Sequence, residues 1–342
     1  MVSFESDYIA GAHPAVLQRL IETNAEPLSG YGTDVYSSRA REKIRVACAQ
    51  PEAQVEFLTG GTQTNAVVIS TLLGEWEGVL AANTAHIATH EAGAIEYAGR
   101  KVMELPHRYG KISAADVRAY AENYYADANR EHIVRPGMVY ITYPTEYGTL
   151  YTKQELCALA DVCRAYDMLL YLDGARLGFG LESRESDLSL ADLAAVCDVF
   201  TIGGTKVGLL CGEAVVFRKG RKPAHYPARV KQRGALLAKG RLLGVQFDAL
   251  FTDDLYFRIS RHVLAMAEEM EEIFREAGCP FFLHSPTNQK FVVFGDERLA
   301  RLREKVAFGF WEKPDSRHTV IRAATGWSTM SADLQALREA LR

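Results

Sequence analysis

The sequence predicts an α/β protein in two parts. A large domain over residues 1–248 carries a mainly parallel sheet, and a small C-terminal α/β domain follows over residues 249–342. Three observations predict this. From about residue 55 to 218, strand-like runs alternate with helical patterns, as a parallel sheet covered on both faces requires. Several of these runs are short and apolar and end in small-residue turns. After Phe217 the pattern breaks into a basic polar stretch, a long helix and a fresh strand–helix alternation.

Taken in order, Val55–Leu58 reads as a strand, Thr59-Gly-Gly-Thr-Gln-Thr-Asn65 as the turn after it, and Ala66–Leu73 as an apolar helical stretch. Met138–Thr142 is a second strand, followed by a helix over Lys153–Tyr166. Met168–Leu172, Val199–Ile202 and Ala214–Phe217 complete the strands of the large part. Lys231–Lys239 reads as the start of a helix. Leu255–Ala277 is a long helix stopped by Gly278 and Pro280. Short strands near Phe281 and over Phe291–Phe294, a helix from Arg298, a strand over Thr319–Arg322 and a helix from Ser331 form the tail.

Composition narrows the function. Nearly half of the residues are apolar and about a quarter charged, and the formal net charge of −4 argues against nucleic acid or an anionic membrane as partner. No apolar run approaches the roughly 20 residues that cross a bilayer. The first residues lack a basic segment followed by an apolar one, so a cytoplasmic protein is expected. The six cysteines are scattered without a CxxC pair. That argues against a disulfide or zinc framework and for small buried hydrophobes.

Two of the strand ends carry charge. Tyr171-Leu-Asp173-Gly-Ala-Arg176 and Thr201-Ile-Gly-Gly-Thr-Lys206 each run from a strand into a small-residue turn holding an acid or a lysine. A lone lysine there is ordinarily a solvated loop residue. An acid and a lysine at successive strand ends are the two parts of a pyridoxal phosphate (PLP) site. The amine anchors the cofactor covalently, and the carboxylate keeps the pyridine nitrogen protonated. The turn at Gly60, Gly61 and Thr62 supplies the third part, since it opens a helix whose free amides attract an anion. It has neither the dinucleotide fingerprint nor the P-loop ending.

The other candidates are less specific. His86 and His90 have metal-ligand spacing on a helix, but the HExxH order is absent and no third ligand is evident, so no metal is expected. A flat ring stacked on the cofactor is the preferred role for His86. Arg176 and Arg322 are candidates for a substrate carboxylate because a guanidinium binds it through two parallel hydrogen bonds. Surface or structural ion pairs are the competing role. Lys231, Gln232 and Arg233 read equally as phosphate contacts, across a subunit interface, or as a solvated helix face.

These residues resemble the L-threonine aldolases, within the fold-type I PLP-dependent enzymes that also include the β-eliminating lyases. The resemblance spans nearly the whole chain, from Phe4-Glu-Ser-Asp7 to Arg322. It is carried by Tyr31-Gly32, Gly60-Gly61-Thr62, Thr84-Ala-His86 with Glu91 and Gly93, Asp173-Gly-Ala-Arg176, Gly203-Gly-Thr-Lys206 and Lys231-Gln-Arg-Gly234. It implies Lys206 as covalent anchor, Asp173 at the pyridine nitrogen and His86 on the ring. It implies Gly60, Gly61 and Thr62 at the phosphate, and Ser6, Arg176 and Arg322 at the substrate carboxylate. Arg176 would also approach the cofactor's phenolic oxygen. The implied reaction cleaves L-threonine, L-allo-threonine or a related β-hydroxy-α-amino acid to glycine and an aldehyde, in a homodimer or homotetramer with its site between subunits. A β-eliminating lyase or an aminotransferase on the same fold is the alternative. One departure stands out: where some members carry Asn-Thr-His, this chain has Tyr143-Pro-Thr-Glu146-Tyr-Gly148, so no histidine carries over. Position 90 is His90 where relatives carry an acidic or aromatic residue. The base for the substrate hydroxyl is left among His86, His90, Glu146 and a bound water.

Overall fold

A computed structural model describes residues 1–342. Its strands in chain order are β1 (Val2–Phe4), β2 (Gln54–Leu58), β3 (Glu77–Ala82), β4 (Lys101–Leu105), β5 (Arg135–Thr142), β6 (Leu169–Asp173), β7 (Val199–Gly203), β8 (Glu213–Phe217), β9 (Gln289–Gly295), β10 (Val306–Glu312) and β11 (His318–Ala324). The large sheet has the order β2-β8-β7-β6-β5-β3-β4. Only β8 runs against the rest, pairing antiparallel with β2 and β7. The expected mainly parallel sheet is present. Its middle strands are buried on both faces, with Leu170, Tyr171 and Leu172 fully enclosed, which is why they read as continuous apolar runs.

Local signals position the covering helices. Lys153–Ala165 begins with a reciprocal cap in which the Thr152 hydroxyl accepts from the Glu155 amide and Glu155 returns to the Thr152 amide. The helix read as starting at Lys231 is a correction: the segment ends one instead. Tyr226–Gln232 stops because Gly234 turns left-handed at φ +65°, and the Ala235 amide returns to the Val230 carbonyl at 3.0 Å. Strands β1, β3, β4 and β10 were not foreseen, and Phe281 forms only an isolated bridge with Val292.

A second sheet, β1-β10-β11-β9, covers a separate apolar core. We propose 1–248 and 249–342 as the division of the chain. Two features cross it. Phe4 of β1 lies in the small core, because β1 pairs parallel with β10. The helix Leu255–Glu276 serves both cores, the large one through Leu255, Tyr256, Ile259 and Val263 and the small one through Met270, Ile273 and Phe274. No helix is long and apolar enough to cross a membrane. The six cysteines are free thiols, four of them buried.

Candidate active site

Strands β5, β6 and β7 end side by side, with Thr142 opposite Asp173 in register. The turns that follow touch. A Cβ on Gly174 would lie 2.1 Å from the Thr201 carbonyl, and one on Gly203 would lie 2.3 Å from the Ala175 carbonyl. Only glycine permits this approach. The Gly203 amide reaches the Gly174 carbonyl at 2.9 Å, and the Gly174 amide reaches the Thr201 hydroxyl at 2.8 Å. The two glycine-bearing motifs therefore form one unit, which brings Asp173 and Lys206 to one cavity.

Asp173 is held by four donors. Its Oδ2 accepts from the Tyr140 hydroxyl at 2.6 Å and the Asn65 amide at 2.9 Å. Its Oδ1 accepts from the Ala175 amide at 2.9 Å and, more distantly, the Thr201 hydroxyl at 3.5 Å. Asn65 spreads this network: its oxygen accepts from Tyr171 at 2.7 Å, and its amide also donates to Glu91 at 2.7 Å. Glu91 in turn lies 2.8 Å from His86 Nδ1. One buried amide thus joins the carboxylate of Asp173 to the partner that orients His86. The ring of His86 stacks on His90, with centroids 5.7 Å apart.

Lys206 sits in the turn after β7, and the aromatic ring of Tyr8 lies 5.7 Å from its Nζ. Burial, helped by the Arg176 charge, pushes its amine below the usual lysine range, against the pull of Asp7, Glu213 and Asp173. Behind it, Glu213 accepts from the Thr205 hydroxyl at 2.9 Å, and burial raises its carboxyl to about 7.

At the other end of the cavity, the helix Gly61–Leu72 begins without a side-chain cap. Its first internal bond runs from the Thr64 amide to the Gly60 carbonyl, so the amides of Gly61, Thr62 and Gln63 have no helical partner. A Cβ on Gly60 or Gly61 would meet no atom within 4 Å, and Thr62 is exposed.

The two arginines differ. The Nε and Nη2 of Arg176 are engaged by the buried carboxylate of Asp7 at 2.6 and 2.9 Å, and Asn288 donates to the same carboxylate at 2.9 Å. Although burial opposes it, the Arg176 charge and hydrogen bonds hold Asp7 down at about 2. Arg322 has one contact, from Nη2 to the Glu5 carbonyl at 3.3 Å, and its Nε is buried without a partner. The Ser6 hydroxyl is also buried and unpaired. Lys206, Asp173, Arg176, His86 and Gly61 all line the cavity, and so does Glu146. Asn65 and Thr142 line it too. Reading the sequence residue by residue left out Asp7, Asn65, Tyr140, Thr201 and Glu213; the first four act on a site residue far away in the chain, and Glu213 acts on the nearby Thr205 and Lys206.

Comparison with known proteins follows the same lines. The model of the β-eliminating lyase family matches residues 3–327. Over its full length the chain is 37% identical to Leishmania major threonine aldolase, covering 98% of that chain at a TM-score of 0.96. The chain belongs to the β-eliminating lyase family, and within it to the threonine aldolases. A low specificity L-threonine aldolase of Pseudomonas aeruginosa is 29% identical over 307 residues, 88% of this chain and 87% of its own length. The aspartate aminotransferase of Thermus thermophilus matches at 15% identity and a TM-score of 0.71, covering 99% of this chain and 90% of its own. That likeness shows the fold alone, which is the fold-type I architecture of both groups.

Proposed function

We propose that this threonine aldolase relative is a PLP-dependent lyase that cleaves L-threonine, L-allo-threonine or a related β-hydroxy-α-amino acid to glycine and an aldehyde. The observation that carries the reading is the convergence of Lys206 and Asp173 on one cavity whose far end is an uncapped helix start. The residues fit the cofactor. Three unpartnered amides with open space at Gly60 and Gly61 suit its phosphate. A carboxylate fixed by four donors suits its pyridine nitrogen, and an amine held below the usual lysine range suits a covalent anchor. His86, oriented by Glu91, is the ring that stacks on it.

When bound, the cofactor supplies an electron sink next to the substrate's α-carbon. The chain's own residues do the rest. Arg322 and Ser6 take the substrate carboxylate, filling the buried Nε and hydroxyl that have no partner. That grip would hold the α-carbon in one orientation, which is catalysis by orientation. Arg176 offers its remaining Nη1 edge to the carboxylate or to the phenolic oxygen, steadied by Asp7. We take the active assembly to be a homodimer or homotetramer, with Lys231 and Arg233 near the subunit boundary.

The test is a product-identified panel on the purified holoenzyme. Glycine and acetaldehyde from L-threonine or L-allo-threonine, or glycine and benzaldehyde from phenylserine, support the reading. Pyruvate and ammonia from serine or cysteine without any aldehyde would replace it with β-elimination. Transfer of the amino group to a keto acid would make the chain an aminotransferase.

A further inference from the structure

Cleavage of a β-hydroxy amino acid needs a group that takes the hydroxyl proton, and three protein side chains compete for it. His90 does not line the cavity, and its Nδ1 is engaged with the Thr89 hydroxyl. His86 lines it but has Nδ1 committed to Glu91, and its ring face is the surface the proposed function assigns to stacking. Glu146 lines it as well. Its Oε1 accepts from the backbone amide of His86 at 2.8 Å, and its Oε2 accepts from the Thr142 hydroxyl at 3.0 Å. No cation is paired with it. Thr142 stands opposite Asp173 in the strand register, so Glu146 is fastened to the same strand ends that present Asp173.

From this geometry we infer that Glu146 is the catalytic base for the substrate β-hydroxyl. The inference rests on the aldolase reading and names its missing group. As cleavage proceeds, the hydroxyl O–H breaks and its proton passes to a Glu146 carboxylate oxygen. The O–H electron pair becomes the second bond of the aldehyde C=O. The Cα–Cβ pair stays with the α-carbon fragment, which later takes a proton to become glycine. In synthesis the Glu146 carboxyl returns the proton to the aldehyde oxygen. Two features suit the task. The His86 amide and the Thr142 hydroxyl fix the carboxylate, and each oxygen keeps a further acceptor site. Burial raises the carboxyl above the usual glutamate range against those donors, toward the pH at which a base and its conjugate acid both serve.

The test uses Glu146→Gln in the holoenzyme with three readouts. Threonine cleavage should fall on the order of 10²- to 10⁴-fold, and the acid limb of kcat/KM, which follows ionisation of the base, should disappear. Exchange of the glycine α-proton with deuterated water involves no hydroxyl and should keep at least about a tenth of its rate. The visible absorbance of bound cofactor should persist. Glu146→Asp keeps a carboxyl, so it should retain an acid limb and cleave faster than the glutamine variant. Cleavage within a few-fold of wild type, or a parallel loss of cleavage and exchange, would remove Glu146 from the role. A wild-type enzyme that releases no aldehyde from any β-hydroxy amino acid would instead overturn the aldolase reading, and this inference with it.

Discussion

The strand-end wall of the cavity and the region of the small sheet are finished to different degrees. On the strand-end wall, Asp173 has four donors and Asn65 uses both ends of its amide. Toward the small sheet, outside the residues that line the cavity, Arg322 Nε and the Ser6 hydroxyl are buried with no partner. A buried polar group left unpaired costs about 1–3 kcal/mol, so such atoms persist where something outside the chain completes them. The strand-end wall holds its own geometry, and the unpaired atoms of Arg322 and Ser6 are the ones proposed to meet the substrate carboxylate.

The strand-end wall should therefore fail through chemistry. Lys206→Ala leaves its hydrogen bonds intact and removes the amine. We expect cleavage to fall on the order of 10⁶-fold or more, toward the uncatalysed rate, with loss of the visible cofactor absorbance and an unchanged melting temperature. Retained activity would detach the lysine from the site and dissolve the contrast.

That wall was largely readable from the sequence because its parts are local. Buried parallel strands read as apolar runs, and the glycines beside Asp173 and Lys206 mark the turns that touch. The same logic missed β3 and β4, whose Glu77-Gly78 opening and charged edge at Lys101 and Glu104 weaken the strand pattern. It misread Lys231–Lys239, where helix-favouring residues follow a glycine that ends a helix rather than precede one. Asp7 could not be read as the partner of Arg176, because nothing in a sequence of this length says which of many acids meets which arginine.

The two arginines, Arg176 after β6 and Arg322 on β11, should behave differently. Arg322→Lys gives up the bidentate grip and should raise the KM for threonine about 10- to 150-fold, equivalent to about 1.5–3 kcal/mol, with little change in stability. Arg176→Met should act on the fold as well, because it strands the buried Asp7 carboxylate, and denaturant titration should show a loss of about 3–5 kcal/mol. The pH dependence follows the same pair. Asp7 has a folded pKa of about 2 against an ordinary 3.8, so its contribution is complete above about pH 4 and lost as pH falls through 2. It amounts to about 2 kcal/mol and should be missing from the acid unfolding of Arg176→Met. Equal stability losses in both variants would mean that Arg322 is as structural as Arg176.

The smallest effect tests whether the strand-end wall is as settled as its hydrogen bonds imply. Glu213 lies behind Lys206 with its carboxyl raised to about 7 by burial, against an ordinary 4.5. An acid whose folded pKa is raised favours the fold while protonated, so this contribution is full below about pH 4.5 and lost as pH rises through 7. In the cofactor-free protein, Glu213→Gln keeps a neutral group at every pH and avoids burying the charge. It should exceed the wild type in stability by about 1–3 kcal/mol at pH 8, with the gap closing by pH 5. In the same cofactor-free protein the variant also removes a negative charge that favours the protonated lysine, and the Lys206 amine should titrate lower. A stability gap that is the same at both pH values would mean that Glu213 is no more costly to ionise in the fold than outside it. The raised Glu213 carboxyl would then cost the strand-end wall nothing, and the buried unpaired Oε2 of Glu91 would be the unsatisfied polar atom left in its network.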